Sequence, residues 1–276
     1  MFINLIDCHT HTRISFDSEA DPCMMVDTAL KKNIEVYAFT DHSDHCSDNA
    51  ANTAKQNWEN DVRELFLSTL EMKERYQDAP IKLLSGIELG EPLQDLPLAK
   101  QILKYDFDMV LGSLHNAAGE PDFFRIDYRL LAPSELDRLM EKYFSELYAM
   151  VEWGGFDTLA HLTFPLRYIR EQKIKFDLSR FDEMIVQLFQ LMIHKGIALE
   201  LNTSGLARGL GYAMPDEKYL KLYRQIGGRY LTIGSDAHKP EHVGGGITEG
   251  LKMALRAGFT HITYFEKRKP VLTKIR

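Results

Sequence analysis

Cysteine is scarce in this chain. Cys8, Cys23 and Cys46 are three in 276 residues, too few and too odd in number for a disulfide framework, so a reducing cytoplasm is the expected compartment. Long apolar runs are missing too: no stretch approaches the ~20 residues of a membrane span. With a strand pattern beginning at Phe2, no signal peptide is expected. Basic residues are in deficit, with 33 Lys and Arg against 40 Asp and Glu and a net charge of −7. That excludes the basic footprint of a general nucleic-acid binder. It says less about a site, because bound cations would reverse the local sign. No Pro-, Gly- or Ser-rich linker, repeat or low-complexity segment divides the sequence, and one domain over 1–276 is expected.

What the chain has is seven short apolar runs, six of which end in metal-ligand residue types. FINLIDCHTH leads to His9 and His11, VYAFTDH to His42, IKLLSGIE to Glu88, DMVLGSLH to His115, DTLAH to His161, and LTIGSDAH to Asp236 and His238; IALELN ends in Asn202. Runs of this length read as buried strands, and parallel strands covered on both faces need not alternate. Ligands set on strands far apart in sequence converge only if all strand ends share one rim. The expected fold is therefore α/β, a distorted (β/α)7 barrel with a metal site at the C-terminal ends of its strands.

Helical patterns fill the intervals. Asp21-Pro22 reads as an N-cap and first helical position. Trp58, Val62, Leu65, Phe66 and Leu70 recur at helical spacing, and Ser134 with Asp137 resembles a capping box ahead of an apolar stripe from Leu136 to Leu147. Met184, Ile185, Leu188, Phe189 and Met192 form a further stripe. Gly227 and Gly258 read as helix C-caps. The Gly244-Gly245-Gly246 run lacks a preceding strand and a Gly-Lys-Ser/Thr ending, so it reads as a turn rather than a phosphate loop.

His9 and His11 at i and i+2 share one face of an extended segment, as do Asp236 and His238. Asp7 shares the first face and is expected to orient an imidazole. Cys8 points the other way and reads as a small buried residue. Structural histidines have no reason to choose the same end of successive strands, which makes His42, His115 and His161 candidates jointly. Glu88 ends a buried run, where an unpaired carboxylate would cost on the order of several kcal/mol. Asp17, in a polar loop, is either a turn residue or a ligand. The nine candidates are His9, His11, Asp17, His42, Glu88, His115, His161, Asp236 and His238. One catalytic zinc takes about three protein ligands, so nine suggest two or three ions. Nitrogen and oxygen donors without thiolate fit zinc, iron or manganese. His45, in a loop with Asp44 and Asp48, is a weaker candidate for a role near the site, and His194, His242 and His261 read as ordinary.

Together these residues make a family resemblance. His9-Thr-His11, Thr40-Asp41-His42, Gly86-Ile87-Glu88, Gly112-Ser113-Leu114-His115, His161 and Gly234-Ser235-Asp236-Ala237-His238 resemble the motif series of the PHP (polymerase and histidinol phosphatase) superfamily. Leu199-Glu-Leu-Asn-Thr-Ser-Gly-Leu206, Ser235-Asp-Ala-His-Lys-Pro240 and Gly258-Phe-Thr-His-Ile262 resemble its histidinol-phosphate phosphatase branch; Thr163 departs from it, where relatives are often acidic. The resemblance spans essentially the whole chain. It implies a seven-stranded distorted barrel with a trinuclear centre. His9, His11, Glu88 and Asp236 would surround one metal, with Glu88 bridging to a second held by His115 and His161. Asp17, His42 and His238 would hold the third.

The resemblance further implies hydrolysis of a small phosphate monoester, L-histidinol phosphate in histidine biosynthesis, with a metal-bridging hydroxide as nucleophile. Glu88, Asp236 and His238 are the catalytic candidates, and Asp236 or a metal-bound water is the candidate acid for the leaving alcohol. No nucleophile elbow or Cys-x5-Arg motif calls for a phosphoenzyme. Arg167 and Arg208, in loops at the rim, are expected to hold phosphate through their guanidinium forks; Arg13 is a weaker candidate, and Asn202 is expected to contact substrate. A PHP-type phosphodiesterase or exonuclease is the alternative, and a non-catalytic metal module the least favoured. The oligomeric state is open.

Overall fold

The computed structural model describes residues 2–44 and 58–276; His45 and Cys46 lie outside them. In chain order the first eight strands are β1 (Leu5–Asp7), β2 (Ile34–Phe39), β3 (His42–Asp44), β4 (Lys82–Gly90), β5 (Met109–Ser113), β6 (Thr158–Leu159), β7 (Ala198–Asn202) and β8 (Leu231–Gly234). Seven run parallel along the path β1-β2-β4-β5-β6-β7-β8, and β3 lies on β4. The two ends of that path meet. Cys8 N–H donates to Ile233 O and His11 N–H to Ala237 O, both at 2.9 Å, which draws the sheet into a nearly closed barrel. β5, β7 and β8 are buried at every position, as strands with both faces covered must be.

The distortion has local causes. β4 pairs with β2 through its first half and with β3 through its second, and β1 slips register between Leu5 and Ile6. β6 holds only two residues, because His161 turns into the left-handed region at φ 27° just beyond it.

The helices are α1 (Pro22–Lys31), α2 (Trp58–Arg75), α3 (Leu96–Ile102), α4 (Pro133–Trp153), α5 (Phe164–Glu171), α6 (Asp182–Lys195), α7 (Ser204–Ala207), α8 (Glu217–Gln225) and α9 (Ile247–Arg256). Asp21 caps α1, its carboxylate accepting from the N–H groups of Cys23 and Met24. Two helix expectations need correction. α2 buries Val62, Leu65 and Met72, whereas Leu70 is 44% exposed. α4 starts at Pro133, whose fixed φ suits the first helical position, and Glu135 accepts from the Ala132 N–H at 2.7 Å. Ser134 and Asp137 form no box; Asp137 pairs with Arg180 instead.

The sequence reading also lacks an antiparallel hairpin of β9 (His261–Glu266) and β10 (Lys269–Lys274). Its two-residue turn holds Lys267 and Arg268 at φ 50° and 62°, a conformation normally signalled by Asn-Gly. Contacts beyond the hairpin supply what the residue types do not. Lys267 and Arg268 donate their N–H groups to Asp108, and the Arg268 guanidinium pairs with Asp157. Both aspartates precede a barrel strand, so the hairpin packs at the rim opposite the ligand-bearing ends. No described helix is long and apolar enough to cross a membrane.

Candidate metal centre

Nine side chains meet at the C-terminal rim. His9 and His11 follow β1, Asp17 lies in the next loop, His42 opens β3 and Glu88 lies within β4. His115 and His161 stand just past β5 and β6, and Asp236 and His238 just past β8. Glu88 is the hub and is wholly buried. Its Oε2 lies 3.0 Å from His9 Nε2, 3.0 Å from His42 Nδ1 and 3.5 Å from His11 Nε2. Its Oε1 lies 2.8 Å from His161 Nε2 and 3.2 Å from His115 Nε2. Asp236 Oδ1 approaches His11 Nε2 at 3.4 Å and His9 Nε2 at 3.8 Å. Asp17 lies 3.0 Å from His238 Nε2 and 3.8 Å from His42 Nε2. Asp17 thus sits in the cluster.

Several of these atoms approach without bonding. His42 Nδ1 and His238 Nε2 have carboxylate oxygens at 3.0 Å, and His11 Nε2 lies near two, yet none of the three forms a hydrogen bond. His161 Nδ1 and Asp44 Oδ1 are likewise buried without a bond. Buried polar atoms are normally satisfied. Here every residue concerned belongs to a group whose ligand atoms stand close enough to share a cation. One ligand atom from each member lies within 4.8 Å of the others in His9–His11–Asp236, in His9–Glu88–His161 and in His11–His42–His238. The residues present fit divalent ions held by nitrogen and oxygen.

Charge balance supports the same fit. Burial alone would push the Glu88 and Asp236 carboxyls up, but the surrounding imidazoles outweigh it and hold both well below the usual carboxylate range. Burial would likewise push His9 and His42 down; carboxylates at Glu200, Glu88 and Asp44 hold them well above. Carboxylates and imidazoles here thus favour each other's charged forms, and a bound cation would take the place of the imidazole protons. His11 differs: burial and the neighbouring His238 and His42 lower it to about 3. It therefore stays neutral, with a lone pair to offer.

The structure adds residues that the sequence reading lacks. Glu200, inside β7, places Oε1 2.6 Å from His9 Nδ1 and accepts the His161 N–H on Oε2 at 2.7 Å. This is the contact expected of Asp7. Asp7 sits lower on β1 and reaches across to β8, accepting from Ser235 and from the Gly244 N–H. Buried Asp41 accepts from Thr12 and from Ser15, whose hydroxyl lies 3.1 Å from His11 Nδ1. Asp44 stands 3.5 Å from His115 Nδ1 and 3.6 Å from His42 Nδ1. Burial and the Asp44 charge push Glu91 up to about 8.

Above the cluster opens a cleft of about 410 Å³. Arg167 and Arg208 line it, though Arg167 lies on α5 and Arg208 caps α7, where loops were expected. Phe16, Phe124, Phe164, Tyr168 and Asp122 form further wall. Asn202 is fully buried and outside the lining; its amide donates to Asp236 Oδ2 at 3.3 Å. Arg13 points away and pairs with Asp21. Gly244 and Gly246 adopt left-handed conformations in the turn leading into α9.

Comparison with known proteins adds a lineage. Residues 7–204 match the model of the PHP domain. The chain is 29% identical over 272 residues to a probable histidinol-phosphatase of Thermotoga maritima, spanning 99% of this chain and 100% of that protein. It is 28% identical over 268 residues to a probable histidinol-phosphatase of Clostridium acetobutylicum, spanning 96% and 98%. The crystal structure of histidinol phosphate phosphatase from Lactococcus lactis subsp. lactis, complexed with zinc, L-histidinol and phosphate, shares the fold. Its TM-score is 0.77 at 21% identity, covering 98% of this chain and 99% of that one.

Proposed function

Because the chain belongs to the PHP domain family, we propose that it is a metal-dependent phosphomonoesterase that hydrolyses L-histidinol phosphate to L-histidinol and phosphate. The observation that carries this reading is the gathering of six imidazoles and three carboxylates beneath a cleft lined by two guanidinium groups. His9, His11, Glu88 and Asp236 would hold one ion, Glu88, His115 and His161 a second, and Asp17, His42 and His238 a third. When bound, such ions supply Lewis acidity toward phosphoryl oxygens and a water of lowered pKa. Arg167 and Arg208 bind the remaining phosphate charge as forks. The aromatic wall and the Asp122 carboxylate suit a flat, cationic organic end. Relatives named for histidinol phosphate across nearly their full length support that substrate.

The test is turnover by zinc-, iron- and manganese-reconstituted protein on a panel of phosphomonoesters and diesters that includes L-histidinol phosphate. The expected result is selective release of phosphate from L-histidinol phosphate, abolished by chelation. Glu88→Gln should remain folded with reduced metal content and little turnover. Full activity after metal removal, or preference for a diester, would overturn the reading.

A further inference from the structure

β7 offers no ligand at its end, yet its inward polar residues touch three segments that do. Glu200, 1% exposed, joins the His9 ring to the His161 backbone through its two oxygens, at 2.6 and 2.7 Å. Asn202 Nδ2 lies 3.4 Å from Glu200 Oε2 and 3.3 Å from Asp236 Oδ2. β8 leaves room for this arrangement. A Cβ on Gly234 would stand 2.3 Å from His9 Cβ and 2.8 Å from Glu200 Oε1, so the carboxylate and imidazole meet only because that position has no side chain.

We propose that Glu200 is a positioning residue that fixes the tautomer of His9 and pins the strained backbone of His161. A carboxylate oxygen can only accept. His9 Nδ1 must therefore keep a ring proton, so a cation at the site would meet the ring at Nε2, the atom facing Glu88 and Asp236. The other oxygen accepts the N–H of His161, a non-glycine residue at φ 27°. That is the kind of sparsely populated conformation that persists only where its surroundings hold it. One buried group thus orients two ring nitrogens toward the same Glu88 carboxylate, from opposite sides of the barrel. This inference rests on the metal-holding part of the proposed function and not on the substrate.

The experiment compares wild-type protein with Glu200→Gln and Glu200→Asp. Zinc affinity is measured by competition with a chromophoric chelator, and the His9 ring is read by nitrogen-15 NMR of the zinc-loaded wild type. Glutamine keeps the shape but turns an amide donor or a weaker acceptor toward His9. The expected result is a folded Glu200→Gln protein with zinc affinity lowered roughly 10- to 100-fold. Glu200→Asp should recover part of that loss, and the wild-type ring should be protonated at Nδ1 only. Undiminished affinity in folded Glu200→Gln, or a His9 ring protonated at Nε2, would overturn the proposal. If Glu200→Gln does not fold, the wild-type ring spectrum decides. Failure of the wild type to bind zinc, iron or manganese would instead sink the metal centre itself.

Discussion

Arg167 stands where a guanidinium is worth most, 13% exposed, on a helix whose start follows His161 by three residues. Its Nε forms no hydrogen bond, and Glu171 approaches only to 3.5 Å. A charge-assisted hydrogen bond contributes about 1.5–3 kcal/mol, and about 1.4 kcal/mol is tenfold in binding. Arg167→Met should therefore raise the KM for L-histidinol phosphate and the Ki for inorganic phosphate by about 10- to 100-fold, with metal content unchanged. Steady-state kinetics beside elemental analysis measures both, and an unaltered KM would remove Arg167 from the phosphate site. Residues at strand ends were legible because buried charge demands a reason; that argument picked out Glu88. The same argument applies to Glu200 within Ile197-Ala-Leu-Glu-Leu-Asn202. It was hidden because a strand judged by its last residue conceals a carboxylate one pleat below. Asp7 erred in the opposite direction. Sharing a face with His9 fixed its direction but not its depth.

Strands were the legible elements, since their apolar runs are long enough to bury and too short for helices. Edges and turns were not. The β9–β10 turn takes its left-handed pair from Asp108 and Asp157, which lie far away in sequence, and nothing in Lys267-Arg268 itself predicts it. The start of α4 was misplaced by two residues because Pro133 and Glu135 outcompete a Ser-Asp pairing that looks similar in sequence. β8 gives the sharpest element-level test. Gly234→Ala puts a methyl 2.3 Å from His9 Cβ and 3.1 Å from the His9 backbone N. Neither flexes freely, so β8 and the segment after β1 must move apart. Overpacking of this kind costs about 1–3 kcal/mol, and the shift carries His9 away from Glu88. Urea unfolding should give a lower midpoint at unchanged m-value, and zinc affinity should fall in parallel. A variant matching wild type in both would mean that the barrel is not closed as tightly as β1 and β8 indicate.

The two rims of the barrel divide the work: one collects buried carboxylates around imidazoles, and the other is held shut by carboxylates facing cations and backbone N–H groups. Asp108 anchors the second rim. It accepts from Lys73 Nζ at 2.7 Å, from the Ser85 N–H at 3.0 Å and from the Lys267 N–H at 3.1 Å. Burial pushes the Asp108 carboxyl up, but the Lys73 ammonium and these N–H groups outweigh it and hold it below the usual carboxylate range. A carboxyl depressed in the folded state stabilises the fold fully above its unfolded pKa, about 4, and that contribution is lost as pH falls through the lower folded value. Lys73→Met removes the leading cation and lets burial raise the folded pKa. Acid unfolding followed by circular dichroism should then set in at higher pH than in wild type. The gap between the two proteins should narrow in high salt, because Lys73 is a third exposed and its field is partly screened. Unfolding at the same pH in both proteins would mean that the N–H groups hold Asp108 unaided. The hairpin latch would then be a hydrogen-bonded contact in which the Lys73 charge plays no part.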